Sequence, residues 1–433
     1  MFSTLINAFK EKEIRRKLLL TLLMILIFRL GCFIPVPGIT SGSFQSLASN
    51  DFFSIMSTIT GGSLQNGTLF ALGIIPFINA FIIMQLLTLI IPPLKKLSQG
   101  RDADRKKLTQ ITRYMAILLA IIQGVGICLG WGKNMFDATF GSTSLTIALV
   151  IIMFVGGSCL VMWLADRITE YGIGNGTSLI IFVGIIASAG QSLLSAITKV
   201  GDGDVAKNVW LILAFLIMVL FVFVFIILVD LAQENIAVRY GKQIKGNKVF
   251  GGQDQNIPLK VNGGGVMPII FASSFLMFPQ MIASFWPQSA FYQWWSQWLG
   301  IGTPIYITVL CVLIFFFSFF YAQIQFDARM ISDSIQERGG QIYKPRPVKQ
   351  GKETEEFLRR SIRKITLFGA IFLSILTLIT SVVFKFVGSE NGLVNAFSAT
   401  GLLIVVSVAM EFGDQLQIQL AMRQHDSKGF LNY

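Results

Sequence analysis

The sequence predicts an all-α polytopic membrane protein, with ten transmembrane helices in two pseudo-symmetric inverted halves of five and a short re-entrant helix. Apolar residues make up 53% of the 433 positions and charged residues 13%, about half of the ~25% usual in soluble domains. Ten apolar runs are each close to the ~20 residues that a helix needs to cross a ~30 Å hydrocarbon layer. Both observations exclude an ordinary soluble domain.

The ten predicted spans cover residues 18–36, 69–91, 114–131, 145–164, 179–197, 209–231, 264–285, 304–325, 365–386 and 394–410. We divide the chain into an amphipathic segment (1–17), a first half (18–198), a second half (199–414) and a polar tail (415–433). Thirty of the 35 Lys and Arg residues fall on one side of these spans and four on the other. The positive-inside rule therefore predicts that both termini and the long basic loops, 233–261 and 326–364, are cytoplasmic.

An odd number of spans in each half gives the two halves opposite orientations, which is typical of an inverted repeat. Matching spans in the two halves carry a glycine three residues before a proline, Gly73 with Pro76 and Gly265 with Pro268. Such interrupted spans often surround the working site of a repeat of this kind, although ordinary membrane prolines are the alternative.

Residues Ser57–Thr68, STITGGSLQNGT, are small, polar, glycine-rich and uncharged. Either they form a re-entrant helix that lines or closes a cavity, or they are an outside loop of low complexity. Arg29 lies inside the first span, where we expect its side chain to snorkel toward the outer interface. Four tryptophans between residues 286 and 298 are typical of an interfacial aromatic belt.

Groups for catalysis are scarce. The one histidine is His425, no phosphate-binding loop motif occurs, and the four cysteines have no metal-ligand spacing. Asp166, Asp230 and Glu411 stand at predicted span ends, where we expect interfacial caps. These observations disfavour an enzyme, a metal site and a cofactor. They favour a passive conduit or a scaffold, with a secondary transporter of small solutes as the alternative.

Several long stretches resemble the SecY family. They are FRLGCFIPVPGI (28–39), FALGIIPFINAFIIMQLL (70–87), ITEYGIGNGTSLIIF (168–182), IPLKVNGGGVMPIIFASS (257–274) and LLIVVSVAMEF (402–412). The resemblance implies a channel for unfolded secretory polypeptides in the bacterial cytoplasmic membrane, with a lateral gate to lipid. It also implies the partners SecE, SecG, the SecA ATPase, the ribosome, signal sequences and anionic membrane lipid.

The resemblance also assigns roles to residues of this sequence. The implied pore ring is Ile74, Ile78, Thr177, Ile181, Ile270 and Ile404, and the implied plug contains Thr58, Ile59, Thr60, Gly61, Gly62, Ser63 and Leu64. The implied lateral gate contains Asn79, Gln85, Gln123, Asn262 and Phe278, and the implied partner-docking residues are Arg239, Lys242, Lys245, Lys248 and Arg346. Thr177 replaces the family's usual isoleucine. The family usually reads PGxRPG around the arginine at position 346, whereas this sequence reads YKPRPV (343–348), so Lys344 and Val348 stand where the two glycines are usual. Both roles therefore depart from the family pattern.

Overall fold

The structure, a computed structural model, is mostly helical. It describes residues 2–39, 51–100, 102–130, 136, 141–199, 205–240, 242–245, 248–251, 254–261, 263–265, 267–286, 288–300, 303–344, 347–387 and 399–430. The helices in these ranges are α1 (Phe2–Lys10), α2 (Lys12–Gly31), α3 (Asp51–Ile59), α4 (Ile75–Ile90), α5 (Pro92–Gln99), α6 (Asp102–Gly130), α7 (Thr143–Tyr171), α8 (Gly176–Lys199), α9 (Val205–Asp230), α10 (Met267–Ser284), α11 (Ala290–Leu299), α12 (Pro304–Gln325), α13 (Ala328–Glu337), α14 (Lys352–Val387) and α15 (Ala399–Phe430).

Each of the ten predicted spans corresponds to one helix, namely α2, α4, α6, α7, α8, α9, α10, α12, α14 and α15. Among the described residues, five segments are long and apolar enough to cross a membrane: Ala103–Cys128, Thr143–Tyr171, Pro304–Ala322, Lys352–Val382 and Gly401–Met422. The pair Ile75–Thr88 and Pro92–Ser98 is bent by 110°, and Gly176–Ser192, Val219–Val229 and Met267–Ala283 are shorter apolar helices. The chain is therefore a multi-pass membrane protein.

The second span begins later than predicted, because residues 60–74 form turns and α4 starts only at Ile75. Gly73 has a φ of +55°, a left-handed conformation that ends the turns, and Pro76 lies in the first turn of α4. A proline is favourable there because its missing N–H is one that the helix leaves unpaired anyway. Pro268 likewise lies near the start of α10, so neither proline interrupts a span at its middle.

The two basic loops are folded, which the all-α prediction missed. Strand β1 (Gln233–Tyr240) pairs antiparallel with β4 (Asp254–Lys260) on one side and β5 (Gly340–Lys344) on the other. Between β1 and β4 in sequence, β2 (Lys242–Lys245) and β3 (Lys248–Gly251) form a hairpin. Alternate residues of β1, Ile236 and Val238, are fully buried in a core that includes residues of α13 and α14, as the two-residue period of a strand requires.

Most of the polar tail is helical. Helix α15 continues to Phe430, so Glu411 lies within a helix instead of capping one, and it accepts a hydrogen bond from Gln415. Asp166 similarly lies within α7, where its carboxylate is 2.8 Å from Arg113 of α6. Asp230 does end its helix, as expected.

The chain groups into two compact units. The first contains Met1–Phe215, Ser273–Ile307 and Ser381–Tyr433, and the second contains Leu216–Ala272 and Thr308–Thr380. The main core of the first unit joins residues of α3, α4, α6, α7 and α10, whereas the core of the second includes the three-stranded sheet. The division at residue 198 into inverted halves describes a symmetry of the sequence and stays a prediction.

Candidate functional site

The glycine-rich segment Ser57–Thr68 begins as the last turn of α3 and then leaves the helix. The Gly62 amide donates to the Ser57 carbonyl at 2.8 Å, and the Gly61 amide donates to the Thr58 carbonyl at 3.3 Å. Gly61 has a φ of +69°, so this pattern is a Schellman motif with glycine at its left-handed position. The glycines therefore end the helix, and only residues 57–59 of the predicted re-entrant helix are helical.

Most of this segment is buried although it is polar. Thr58, Thr60, Ser63 and Leu64 are all less than a tenth exposed, and Ile59 is half-buried. Burying one backbone carbonyl that has no hydrogen-bond partner costs roughly 2–7 kcal/mol. Other elements must therefore supply donors to the carbonyls at the end of α3, and three side chains do so.

Arg29 of α2 and Cys32, the residue that follows α2, supply two of these donors. Arg29 Nη1 donates to the Gly61 carbonyl at 3.3 Å, and Cys32 Sγ donates to the Thr60 carbonyl at 3.9 Å. The Arg29 guanidinium also lies 5.3 Å from the centre of the Phe33 ring. The expectation that Arg29 snorkels to the interface is wrong, because the buried carbonyl at the C-terminal end of α3 provides a partner inside the protein.

Helix α8 supplies the third donor and a close backbone approach. Ser188 Oγ donates to the Thr58 carbonyl at 3.1 Å. A Cβ placed on Gly184 would lie 2.2 Å from the Ile59 carbonyl oxygen and 3.3 Å from the Gly61 amide nitrogen. Only glycine allows the backbone of the segment to lie this close to α8.

The turns before α4 complete the enclosure. The Leu69 amide donates to the Ile34 carbonyl at 2.9 Å, which holds these turns against the chain that follows α2. The Phe70 ring stacks on Phe28 with 5.9 Å between ring centres, and Ser158 Oγ of α7 donates to the Gly73 carbonyl at 3.1 Å. The segment and the turns that follow it thus have neighbours in α2, α7 and α8.

The five isoleucines of the predicted pore ring are all buried, at 2–5% exposure, and Thr177 is half-buried. Ile74 and Ile78 lie at the start of α4, Thr177 and Ile181 in the first turns of α8, Ile270 near the start of α10 and Ile404 in the first turns of α15. Helices α8 and α15 pack against each other. Ile270 belongs to the second unit. The assembly of the six residues into one ring stays a prediction.

The predicted gate residues lie on helices that pack together. Phe278 of α10 packs against a cluster of buried residues from α4 and α6, namely Ala80, Ala116 and Leu119. Gln123 of α6 is fully buried, and neither of its amide atoms has a hydrogen-bond partner among the described residues. Asn79 is 6% exposed and Gln85 is half-buried. Asn262 lies outside the described residues.

The predicted docking residues belong to the sheet region. Arg239 lies on β1, with its guanidinium 4.2 Å from the centre of the Tyr343 ring on β5. Lys242, Lys245 and Lys248 lie on the β2–β3 hairpin, in which Lys245 is the register partner of Lys248. Arg346 lies outside the described residues.

Sequence reasoning missed Arg29, Gly184 and Ser188 as site residues. The sequence did contain a signal for Arg29, since a cation within a membrane span is costly and usually has a partner inside the protein. Gly184 and Ser188 gave little, because small residues are common in transmembrane helices. Among the described residues, no group of three or more His, Cys, Asp or Glu side chains is placed to hold a metal ion.

Fold and site together define a multi-pass helical membrane protein that buries a neutral, hydrogen-bonded segment among its spans. The sequence profile of the SecY family matches residues 68–413. The SecY protein translocase subunit of Halalkalibacterium halodurans is 35% identical over 437 residues, which cover 100% of both chains. The chain therefore belongs to the SecY family and is a protein-conducting translocation channel.

Two solved structures share the fold. One is a SecY structure in which the plug domain is described as stabilising the closed state of the translocation channel and maintaining a membrane seal. Its TM-score is 0.59 at 20% identity, over 93% of this chain and 91% of that chain. The other is Sec61 in the canine ribosome–channel complex, with a TM-score of 0.64 at 20% identity, over 93% and 91% of the two chains.

Proposed function

We propose that this chain is the channel subunit of a bacterial Sec translocon, with residues Thr58–Leu64 as the plug of the closed channel. The observation that carries the proposal is the enclosure of this segment. The side chains of Arg29 on α2, of Cys32 just after α2 and of Ser188 on α8 donate to its backbone carbonyls at 3.1–3.9 Å, and it carries no charge. A neutral segment that is packed and hydrogen-bonded in this way can seal a pore and still be displaced without moving a charge through lipid.

The proposed constriction consists of Ile74, Ile78, Ile181, Ile270 and Ile404, with Thr177 beside them. Branched apolar side chains bind ions weakly, and a narrow ring of them can exclude water. They also offer no sequence-specific hydrogen bonds, so an extended polypeptide of any sequence can pass. Burial of all five isoleucines supports this assignment, because side chains that faced lipid would be exposed.

The proposed lateral gate opens between α4 and α10, with α6 behind them, and releases membrane segments into lipid. The apolar contacts of Phe278, Met277 and Met281 with the neighbouring helices would hold it closed. Gln123 opposes this closed packing, because a buried amide without partners costs about 1–3 kcal/mol. A gate weakened in this way can open when a signal sequence offers its own apolar surface.

Replacing Gln123 by leucine is expected to stabilise the closed gate, so that export requires a more hydrophobic signal sequence. Asn79→Leu should act in the same direction, since Asn79 is also buried. The measurement is export of a reporter carrying a graded series of signal sequences. Gln110→Leu is the matched control, because Gln110 lies on the same helix and is exposed. If Gln123→Leu and Gln110→Leu gave the same threshold, the assigned role of Gln123 would be refuted.

The chain is proposed to catalyse no reaction itself and to use energy from SecA or from the elongating ribosome. The sheet region, with Arg239 and the lysines of the β2–β3 hairpin, would bind these partners, and Arg346 would join them. A positively charged cytoplasmic surface suits ribosomal RNA or an acidic protein groove. The similarity of the fold to Sec61 in the canine ribosome–channel complex supports a ribosomal partner.

The membrane is proposed to be the bacterial cytoplasmic membrane, with both termini in the cytoplasm. The charge distribution supports this orientation, because 30 of the 35 Lys and Arg residues would lie inside. SecE and SecG are the proposed membrane partners, signal sequences and unfolded polypeptides the ligands, and anionic lipid the surrounding surface.

A further inference from the structure

The connection between α10 and α12 contains a helix with a one-sided aromatic face. No charged residue occurs between Trp286 and Thr303. Ser289 caps α11 by accepting a hydrogen bond from the Tyr292 amide at 3.1 Å. The large rings then recur at i, i+3, i+4 and i+7, the spacing that places them on one face of a helix. They are Phe291, Trp294, Trp295 and Trp298.

This aromatic face is largely uncovered by the described residues. Helix α11 has no buried residue, and Phe291, Trp294 and Trp298 are each about half exposed, at 49%, 52% and 48%. Trp295 packs between its neighbours on the helix, with ring centres 5.8 Å from Phe291 and 6.4 Å from Trp294. Soluble proteins rarely expose three large aromatic rings side by side to water, because an uncovered apolar patch of this size is unfavourable.

The position of α11 identifies what covers this face. Helix α12 is long and apolar enough to cross a membrane, α10 is a shorter apolar helix that corresponds to the seventh predicted span, and α11 connects their ends over a short distance in sequence. A helix at this place lies at the level of the bilayer surface, where tryptophan is favoured because its ring is apolar and its N–H is polar. The absence of charge excludes recruitment by anionic headgroups or by a charged protein groove.

We propose that α11 docks its aromatic face into the headgroup region of the outer leaflet and thereby anchors the outer end of α10. The side of the membrane rests on the proposed orientation of the channel. The anchor would act on the gate because the chain between the two helices is tightly folded. The Trp286 amide donates to the Ala283 carbonyl at 3.1 Å, and the Ser289 amide donates to the Trp286 carbonyl at 3.0 Å.

The outer end of α10 is in direct contact with α6. The ring of Phe285 occupies the space where a Cβ on Gly126 would lie, and it contacts the Trp286 ring at 6.2 Å between centres. A force on α11 from the lipid surface is therefore transmitted to the contact between α10 and α6. Loss of the anchor should let the outer end of α10 move more freely and open the gate more readily.

The docking is tested by fluorescence of the full-length chain in phosphatidylcholine nanodiscs. In one variant Trp294 is the sole tryptophan. In a control variant the sole tryptophan replaces Ile152, which is 65% exposed and lies near the middle of the predicted span 145–164, so lipids brominated at the bilayer centre should quench it more strongly. Lipids brominated near the headgroup should quench Trp294 at least about twice as strongly as lipids brominated at the bilayer centre, because an interfacial ring lies near the shallow bromine. Adding anionic lipid should leave this ratio unchanged. The proposal would be overturned if the fluorescence of Trp294 were the same in brominated and unbrominated lipid. It would also be overturned if Trp294 were shielded from water only when a co-purified protein is bound.

The effect on the gate is tested with Trp294→Gln and Trp298→Gln together, against Trp163→Gln. The double variant should export reporters with weaker signal sequences, by a factor of a few, while the control keeps the normal threshold. A normal threshold in the double variant would overturn the anchoring of α10. The quenching measurement needs no transported substrate, so failure of the channel function and failure of the lipid docking give separate results.

Discussion

Replacing Arg29 by leucine is expected to raise the ion leak of the resting channel roughly tenfold or more. The substitution removes the bond from Arg29 Nη1 to the Gly61 carbonyl and leaves that carbonyl buried. A hydrogen bond to a charged group contributes about 1.5–3 kcal/mol, and about 1.4 kcal/mol changes a two-state equilibrium tenfold. The displaced plug, a minor state in the resting channel, should become correspondingly more populated. The measurement is single-channel or vesicle ion conductance without substrate.

Two further variants separate the bond from other effects of the substitution. Arg29→Lys keeps the charge but replaces the forked donor by a compact one, so an intermediate leak is expected. Leu30→Ala changes a neighbouring side chain that is 59% exposed, and it should leave the leak unchanged. A leak in Arg29→Leu equal to that of the unaltered channel would show that Arg29 does not hold the plug.

Replacing Gly184 by alanine is expected to displace the plug even in the absence of a signal sequence. The new Cβ would lie 2.2 Å from the Ile59 carbonyl oxygen, and the backbone of the segment must move to relieve this contact. Since the neighbouring atom belongs to backbone, a rotamer change cannot accommodate the methyl group. The expected readouts are a raised resting leak and export of reporters with defective signal sequences.

Gly190 provides the matched control for this substitution, because it lies on the same helix and a Cβ there would meet no atom within 4 Å. Gly190→Ala should keep the resting leak low and stabilise α8 by about 0.5–1 kcal/mol, the usual gain from replacing an unconstrained helical glycine. Equal, low leak in both variants would mean that the close approach of α8 to the segment has no role in the seal.

The spans could be predicted because long apolar runs are a strong local signal, and the order of the ten span helices follows from them. The start of α4 could not be placed, because the run of apolar residues continues through Leu69–Ile74 while the backbone turns. The glycines at 61, 62, 67 and 73, all with positive φ, reverse the chain there. Hydropathy carries no information about such conformations.

The sheet and the contacts of the plug depend on residues distant in sequence. β1 pairs with β5 about 100 residues later, and neither strand is long enough to stand out within a basic loop. Arg29 is 32 residues from Gly61, and Ser188 is 130 residues from Thr58. The chemistry of each side chain was visible in the sequence, but its partner was not. The resemblance to the SecY family supplied the candidate plug, and the contacts that enclose it come from the structure.

The most direct test of the channel is cysteine crosslinking of a polypeptide arrested during transport, after replacement of the four native cysteines. Buried and exposed isoleucines on the same helices provide the comparison: Ile78 with Ile90 on α4, and Ile181 with Ile186 on α8. The account predicts crosslinks from Ile78→Cys and Ile181→Cys, and none from Ile90→Cys or Ile186→Cys, which are expected to react with lipid-soluble reagents. Crosslinks from the exposed positions and not from the buried ones would contradict it.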